Sequence, residues 1–336
     1  MNSVSTWLEP LDRLRRVHGA MLDAAGLGPR ETAFNVVHRE AGLQLRRYGG
    51  PASGPVALIL PAPIKRPYIW DLAPEISAVR RCLEAGFRVF LSDWQPAPPR
   101  FGLGDFAERL VLHSLEATGG APVILLGHSL GGLFAAIFAA LHPERVGGLV
   151  LLAAPLNFGA AAPAFLRMAE ALDAEELPDS LPGSALGMAS FNAAPGAFGW
   201  ERWADGALSF GNSSDLLHHV QVERWTLDEF PLPRRLVAEL IGPIIRENRF
   251  ARGELQTDGR TAAPGGITAP LLCVIDPYCD IVSSQTVLPV LEGLDKTVLE
   301  YERDTGVALQ HVGPLVSQRA HATLWPRITQ WMKTHA

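Results

Sequence analysis

Short apolar runs alternate along the chain with longer segments in which apolar residues recur every three or four positions. The short runs have the length of buried strands, and the longer segments have the periodicity of helices that bury one face. A helix is predicted at 8–24, and three strands follow at 32–40, 43–47 and 55–60. Strands that alternate with helices form a largely parallel sheet covered on both faces. The pattern therefore predicts an α/β protein.

The alternation continues on both sides of one long interruption. Before it, helices are predicted at 74–84, 105–116 and after 128, and strands at 88–92, 123–128 and 146–153. After it, strands are predicted at 270–275 and 297–302, and helices at 284–294 and 317–334. The interruption, rich in Pro, Gly and aromatic residues, has helix-like pieces at 163–174 and 232–248. We therefore expect an N-terminal helical segment (1–30), a core formed by 31–156 and 267–336, and a lid or cap inserted at 157–266.

The segment most informative about function joins a predicted strand to a predicted helix. It contains Gly127-His128-Ser129-Leu130-Gly131. A Gly-x-Ser-x-Gly sequence in this context is typical of a nucleophile elbow, a sharp turn that projects the serine hydroxyl from the sheet. The glycines let strand and helix pass closely on either side. Together with the alternation, the elbow predicts an α/β-hydrolase fold with Ser129 as nucleophile; the alternative is a glycine-rich turn with an incidental serine.

A serine nucleophile needs a base that accepts its proton and an acid that orients the base. In this fold they follow in the order Ser, acid, His, with the base in the loop after the last strand. His311 fits that loop, whereas His321 falls in the closing helix and His128 stands beside the nucleophile. Because an unperturbed histidine titrates near 6.5, we expect the activity to rise with pH near neutrality.

Two carboxylates follow the predicted strand at 270–275 and are candidates for the acid. Asp276 stands at the end of the strand, where a turn-forming Asp is common, and Asp280 lies further into the loop. A loop position aims a carboxylate at a histidine more readily than a strand end does. Asp280 is therefore favoured, and Asp276 is the alternative.

The oxyanion of the reaction needs two backbone N–H donors. One comes from Leu130, directly after the nucleophile, and the other from the loop after the third strand. That loop reads Pro61-Ala-Pro-Ile-Lys65, and its prolines have no N–H to donate. The second donor is therefore Ala62, Ile64 or Lys65, of which we choose Ile64.

Composition narrows the class of protein. A net charge of −6 over 336 residues, without a block of like charges, gives no electrostatic basis for binding nucleic acid or an anionic membrane. The apolar runs are too short to span a bilayer, and the N-terminus lacks a signal-peptide pattern. Because the three cysteines also leave at least one unpaired, we expect a cytoplasmic protein. No group of residues has metal-ligand spacing, so neither a metal nor another cofactor is predicted. The oligomeric state, including a homodimer, stays open.

From about residue 55 to its end, the chain resembles the poly(3-hydroxyalkanoate) synthases, especially the short kind that works with a second subunit. The matching segments include Lys65-Arg-Pro-Tyr-Ile-Trp-Asp-Leu, Leu91-Ser-Asp-Trp, Ala154-Pro-Leu-Asn-Phe, Val222-Glu-Arg-Trp and His311-Val-Gly. The resemblance implies an α/β-hydrolase fold, Asp280 as catalytic acid and His311 as catalytic histidine. The family's nucleophile is a cysteine, whereas this chain has Ser129 in a lipase-like Gly-His-Ser-Leu-Gly-Gly. The family's Pro-Gly-Gly before its histidine is replaced by Ala308-Leu-Gln.

Two functions use the same residues. The first is a serine hydrolase that cleaves a carboxylic ester or thioester, of a 3-hydroxyacyl group or its oligomers, through an acyl-Ser intermediate. The second is an acyltransferase of the synthase kind, which passes the acyl group to an alcohol. Ser129 favours the hydrolase, because a thioester on cysteine suits repeated exchange with alcohols better than an oxygen ester does. A binding protein without activity is disfavoured, because all three triad positions hold competent residues.

Overall fold

The computed structural model describes residues 3–120, 122–172 and 177–336. Eight strands form the main sheet: β1 Phe34–Glu40, β2 Leu43–Tyr48, β3 Val56–Leu60, β4 Arg88–Trp94, β5 Val123–His128, β6 Val146–Leu152, β11 Leu271–Ile275 and β12 Lys296–Glu300. Their order is β1-β2-β4-β3-β5-β6-β11-β12. Only β2 runs against its neighbours, and the other pairs are parallel. Two short antiparallel pairs lie outside it: β7 Ser180–Leu181 with β8 Leu232–Pro233, and β9 Leu255–Thr257 with β10 Arg260–Ala262.

Helices flank this sheet and fill the segment between β6 and β11. The α-helices of the described residues are α1 Ser3–Ala24, α2 Ala78–Glu84, α3 Leu110–Ala117, α4 Leu130–Leu141, α5 Pro163–Glu170, α6 Gly183–Ala193, α7 Glu201–Ser209, α8 Ser213–Thr226, α9 Arg234–Glu239, α10 Gly313–Val316 and α11 Trp325–Thr334. Every residue of β3, β5 and β11 is buried, as expected for parallel strands covered on both faces. The predicted α/β-hydrolase fold is confirmed.

One predicted helix of the core is wrong. In place of a helix at 284–294, the chain forms two short 3₁₀ turns, Ser284–Thr286 and Leu288–Leu291. Val287 between them has φ −120° and ψ −62°, outside the helical region. Pro289 has no N–H to donate, so a regular helix through this segment would lack a hydrogen bond.

The insertion, residues 157–266, is more helical than its sequence indicates. The helix predicted at 163–174 forms from Pro163, as expected, and ends at Glu170. The predicted end, Ala174, lies outside the described residues. The sequence pattern does not predict helices α6, α7 and α8. Glycines within α6 and α7 are poor helix formers, and α8 has no apolar stripe along one face. The piece at 232–248 begins as the short strand β8 and becomes helical only at Arg234. That the insertion acts as a lid stays a prediction.

Helix α1 has the predicted helical periodicity, but its apolar stripe does not pack on the core. Leu8 is buried, whereas the following apolar positions are 44–66 % exposed: Leu11, Leu14, Val17 and Met21. Polar contacts hold the helix instead, since Arg15 Nη1 lies 2.7 Å from Glu229 Oε2 and Asp12 Oδ1 accepts from Ser184 N at 3.0 Å. None of the described helices has the length and hydrophobicity of a membrane span.

Candidate active site

The turn between β5 and α4 holds Ser129 in an unusual backbone conformation. Its φ is 54° and its ψ is −130°, which a residue with a side chain adopts only at a cost of about 1–3 kcal/mol. Two hydrogen bonds stabilise the turn: Ser129 N donates to Leu152 O at 3.1 Å, and Gly132 N donates to Ser129 O at 2.9 Å. The side chain is partly exposed at the carboxyl end of β5. This geometry is that of a nucleophile elbow.

Glycines make this turn sterically feasible. A Cβ atom at Gly127 would lie 2.5 Å from Gly131 O, and one at Gly131 would overlap Leu60 O on the neighbouring strand. A Cβ at Gly132 would overlap the Cβ of Ala154. Helix α4 therefore begins in direct backbone contact with the ends of two strands, and the predicted close passage is confirmed.

Ser129 opens into a cavity of about 140 Å³. The cavity is bounded by the elbow, by the loop after β3, by the segment around His311 and by the insertion. The insertion contributes mainly apolar side chains, among them Phe165, Met168, Leu186, Leu240 and Ile241. Ser129, His128 and His311 line the same cavity, and His128 lies directly against His311. The cavity thus combines an apolar binding volume with one reactive end, as ligand sites commonly do.

The structure brings His311 to this cavity, in a short turn before α10. Its side chain is buried, and its Nδ1 lies 3.9 Å from Cys279 Sγ. Burial and the neighbouring His128 lower the pKa of His311 well below its usual range. The imidazole is therefore neutral at pH 7, as a base must be. The expectation of an ordinary titration near 6.5 is corrected, because the sequence carries no information on this burial.

His128, set aside as a base because it stands beside the nucleophile, also lines the cavity. Its Nε2 lies 2.9 Å from the backbone oxygen of His311, and the two ring centroids are 4.8 Å apart. Burial lowers the pKa of His128 to about 4, although the hydrogen bond to His311 O opposes this effect. Sequence reasoning missed this pairing, because it joins positions 183 residues apart.

The two candidate acids occupy different surroundings. Asp276 is buried, with Oδ2 3.0 Å from Arg303 Nε and Oδ1 2.9 Å from Tyr278 N. Asp280 is exposed beside Gly196 of the insertion, and no hydrogen bond or ion pair reaches its carboxylate from the residues that the structure describes. Cys279 Sγ, rather than a carboxylate, is the described hydrogen-bonding neighbour of His311 Nδ1. Burial raises the pKa of this thiol to about 11, so it is protonated at neutral pH.

The two predicted oxyanion donors lie on the cavity wall. Leu130 is the first residue of α4, so its N–H has no acceptor within the helix. Ile64 also lines the cavity, and its carbonyl accepts from Phe230 N of the insertion at 2.6 Å. Ala62 and Lys65 also line the cavity, and Lys65 Nζ lies 3.1 Å from Glu229 Oε1. Ile64 as second donor stays a prediction.

One group away from the cavity has the composition of a metal site. His38 Nε2 and His113 Nδ1 lie 3.1 and 2.7 Å from the same oxygen, Glu40 Oε1. These are hydrogen-bond lengths, and Arg109 Nη1 contacts the other oxygen, Glu40 Oε2, at 3.0 Å. Each histidine can donate a hydrogen bond to the carboxylate, so hydrogen bonding alone explains why these three side chains lie together. That the protein uses no metal stays a prediction.

Comparisons with known proteins agree with this fold. The sequence model of the alpha/beta hydrolase fold matches residues 70–181. The chain is 27% identical over 328 residues to the poly(3-hydroxyalkanoate) polymerase subunit PhaC of Haloarcula marismortui, covering 90% of this chain and 67% of that protein. It is 25% identical to the PhaC subunit of Allochromatium vinosum over 345 residues, which cover 96% of each chain.

A solved structure gives the same picture of the fold. The enol-lactonase from Burkholderia xenovorans superposes with a TM-score of 0.56 at 16% identity, covering 90% of this chain and all of that one. Such a likeness concerns the fold alone. The chain is therefore an enzyme of the α/β-hydrolase fold, a hydrolase or an acyltransferase, and it is similar over most of its length to poly(3-hydroxyalkanoate) polymerase subunits.

Proposed function

We propose that the protein is an acyltransferase that takes a 3-hydroxyacyl group from a thioester onto Ser129 and passes it to a hydroxyl acceptor. The observation that carries the proposal is the similarity to polymerase subunits, which extends through the insertion as well as the core. The solved hydrolase shares with this chain the fold only. Repeated transfer to the hydroxyl end of a bound product makes the protein a polymerase of 3-hydroxyacyl groups.

The cavity supports transfer over hydrolysis. An acyl-enzyme passes its acyl group to an alcohol only where the alcohol competes with water, and a site that excludes water favours this outcome. Side chains of the insertion, such as Phe165, Leu240 and Ile241, form the apolar wall that faces Ser129. They suit the alkyl part of an acyl chain and offer water few hydrogen-bond partners.

The reaction proceeds in two balanced steps. In the first, His311 accepts the proton of Ser129 Oγ while Oγ bonds to the thioester carbonyl carbon; the C–S bond then breaks, and the thiolate leaves with that proton. In the second, His311 accepts the proton of the acceptor hydroxyl, whose oxygen displaces Ser129 Oγ, and the proton returns to the serine. The N–H groups of Leu130 and Ile64 stabilise the oxyanion in both steps.

Asp280 is the proposed acid. The oxygens of Asp276 are already bound to Arg303 and Tyr278, whereas Asp280 directly follows Cys279, which faces His311 Nδ1. We propose that a rearrangement of the loop at 277–281 brings the Asp280 carboxylate to His311 Nδ1 in place of the thiol. Catalytic hydrogen bonds are often long in the free enzyme and tighten when substrate binds.

A serine hydrolase is the second candidate. Ser129 in a lipase-like box is the observation that favours it, since an ester on serine is discharged by water in many enzymes of this fold. The two functions share Ser129 and His311, so only the products separate them.

The first prediction concerns the products. With a 3-hydroxyacyl thioester and an excess of a hydroxyacyl acceptor, we expect ester-linked oligomers to exceed free acid, as measured by chromatography and mass spectrometry. Ser129→Ala should lower formation of both products by about three to six orders of magnitude. Ser129→Cys should retain transfer and form still less free acid. Free acid as the main product of the wild type would establish the hydrolase instead.

The second prediction concerns pH. Because the pKa of His311 lies below 6.5, kcat/KM should stay flat from pH 8 down to about 6.5 and fall only in more acidic solution, where protonation removes the base. Circular dichroism at each pH is the control, since the buried histidines gain protons on unfolding and stability declines below about pH 6.5. A fall in kcat/KM centred at or above pH 6.5, with the protein folded, would contradict the assignment of the buried His311 as base.

The third prediction separates the two carboxylates. Asp280→Asn should lower kcat by about two to four orders of magnitude and leave the melting temperature unchanged. Asp276→Asn should instead lower the free energy of unfolding by about 1–3 kcal/mol, because it weakens the bond to Arg303, while kcat stays within a few-fold. If Asp276→Asn abolishes turnover in a folded protein and Asp280→Asn does not, the proposed acid is wrong.

A further inference from the structure

His128, which has no part in the proposed reaction, is paired with His311 in the cavity. A backbone carbonyl can only accept a hydrogen bond, so His128 Nε2 carries the proton and donates it to His311 O over 2.9 Å. The imidazole ring of His128 also packs on the ring of His311, with 4.8 Å between centroids and 44° between planes. One side chain thus contacts both the backbone and the ring of the proposed base.

His311 has few other restraints. Its turn, Gln310–Val312, follows Ala308, which has a positive φ of 57°. Two described hydrogen bonds reach His311 from outside its own turn. One comes from His128, and the other is the weak contact of Cys279 Sγ with His311 Nδ1 at 3.9 Å. The neighbouring Ala308 and Gln310 are held separately, since Ala308 N donates to Asp205 Oδ2 at 2.7 Å and Gln310 Nε2 donates to Asp304 O at 2.8 Å. The bond from His128 is the described hydrogen bond that joins His311 itself to the end of β5.

We propose that His128 is a positioning residue, which fixes the loop of His311 to the nucleophile elbow so that the base and Ser129 keep the spacing needed for proton transfer. The inference rests on the proposed roles of Ser129 and His311. Because His128 is the residue directly before Ser129, a single rigid turn sets the position of both reacting side chains. Neither ring nitrogen of His128 accepts a proton during the proposed reaction.

The position calls for a donor that stays uncharged. A lysine or arginine would donate to the same carbonyl, yet would place a cation against His311 and make proton acceptance harder. An apolar side chain would fill the space and leave the carbonyl of His311 without its partner, a loss that is costly for a buried group. A neutral imidazole, already buried, avoids both problems.

The test compares two variants of His128. His128→Leu removes the donor and keeps an apolar side chain of moderate size, whereas His128→Gln keeps an amide N–H that can reach the same carbonyl. We expect His128→Leu to lower kcat for thioester turnover by about 10–100-fold with KM within about threefold, because a displacement of about 1 Å costs this much in rate. His128→Gln should recover most of the lost kcat. If the Leu variant does not fold, His128→Met, which also lacks a donor, replaces it.

His321 provides the matched control. It is also buried, its Nε2 lies 2.8 Å from the backbone oxygen of Leu315, and its ring stacks on Trp325 outside the cavity. His321→Leu removes a hydrogen bond of the same kind, so it should lower the melting temperature about as much as His128→Leu and leave kcat unchanged.

Three results would overturn the inference: an unchanged kcat in His128→Leu, an equal loss of kcat in His128→Gln, or a matching loss of kcat in His321→Leu. Mass spectrometry of the acylated wild-type protein distinguishes these from failure of the proposed function. If the wild type carries its acyl group on Ser129 while kcat is the same in the wild type and His128→Leu, the positioning role alone is wrong. If no acyl group is found on Ser129, the proposed function fails, and His128 loses the role inferred from it.

Discussion

The turn at Ser129 packs so closely against the sheet that the neighbouring groups of the site take their positions from it. Helix α4 begins against the backbone of two strands, because Gly127 and Gly131 have no Cβ atoms that would separate them. This close packing holds Ser129 in its strained conformation, because a shift of β5 or α4 that relieved the strain would disturb buried residues of both elements. The same turn leaves the N–H of Leu130 without an intrahelical acceptor and directs His128 into the cavity. One local geometry thus supplies three features of the site.

The insertion is joined directly to the loop that carries the second proposed oxyanion donor. Phe230 N donates to Ile64 O at 2.6 Å and Arg66 N donates to Asp228 O at 3.2 Å, so the two segments form a short antiparallel bridge. Between them, Lys65 Nζ is bound by Thr226 O at 2.7 Å and by Glu229 Oε1 at 3.1 Å. A movement of the insertion therefore displaces this loop as well. The shape of the cavity and the orientation of the proposed Ile64 donor therefore depend on each other.

The sequence predicted the parts of the molecule whose physics is local. The runs that form β3, β5 and β11 are buried over their full length, and the elbow needs glycine at fixed positions, so both leave a clear pattern. The pattern does not predict helices α6 and α7 of the insertion, because glycines within them lower the helix propensity of the sequence. The apolar stripe of α1 predicted a helix that buries this face, whereas Arg15 and Asp12 hold the helix by polar contacts.

Long-range contacts account for the remaining differences at the site. Spacing and chain order placed Ser129 and His311, and the structure brings both to one cavity. The contact of His311 with Cys279 and the hydrogen bond from His128 join distant parts of the chain, so no local pattern reveals them. The depressed pKa of His311 has the same origin, because burial is a property of the assembled fold.

We expect the elbow to present Ser129 to His311 and to the N–H groups of Leu130 and Ile64. A crystal structure of the protein after reaction with an alkyl fluorophosphonate would show this arrangement. We expect a covalent bond from phosphorus to Ser129 Oγ, with one phosphoryl oxygen at about 2.7–3.1 Å from both backbone nitrogens and His311 beside the leaving-group position. An adduct on another residue, or a phosphoryl oxygen turned away from Leu130, would contradict it.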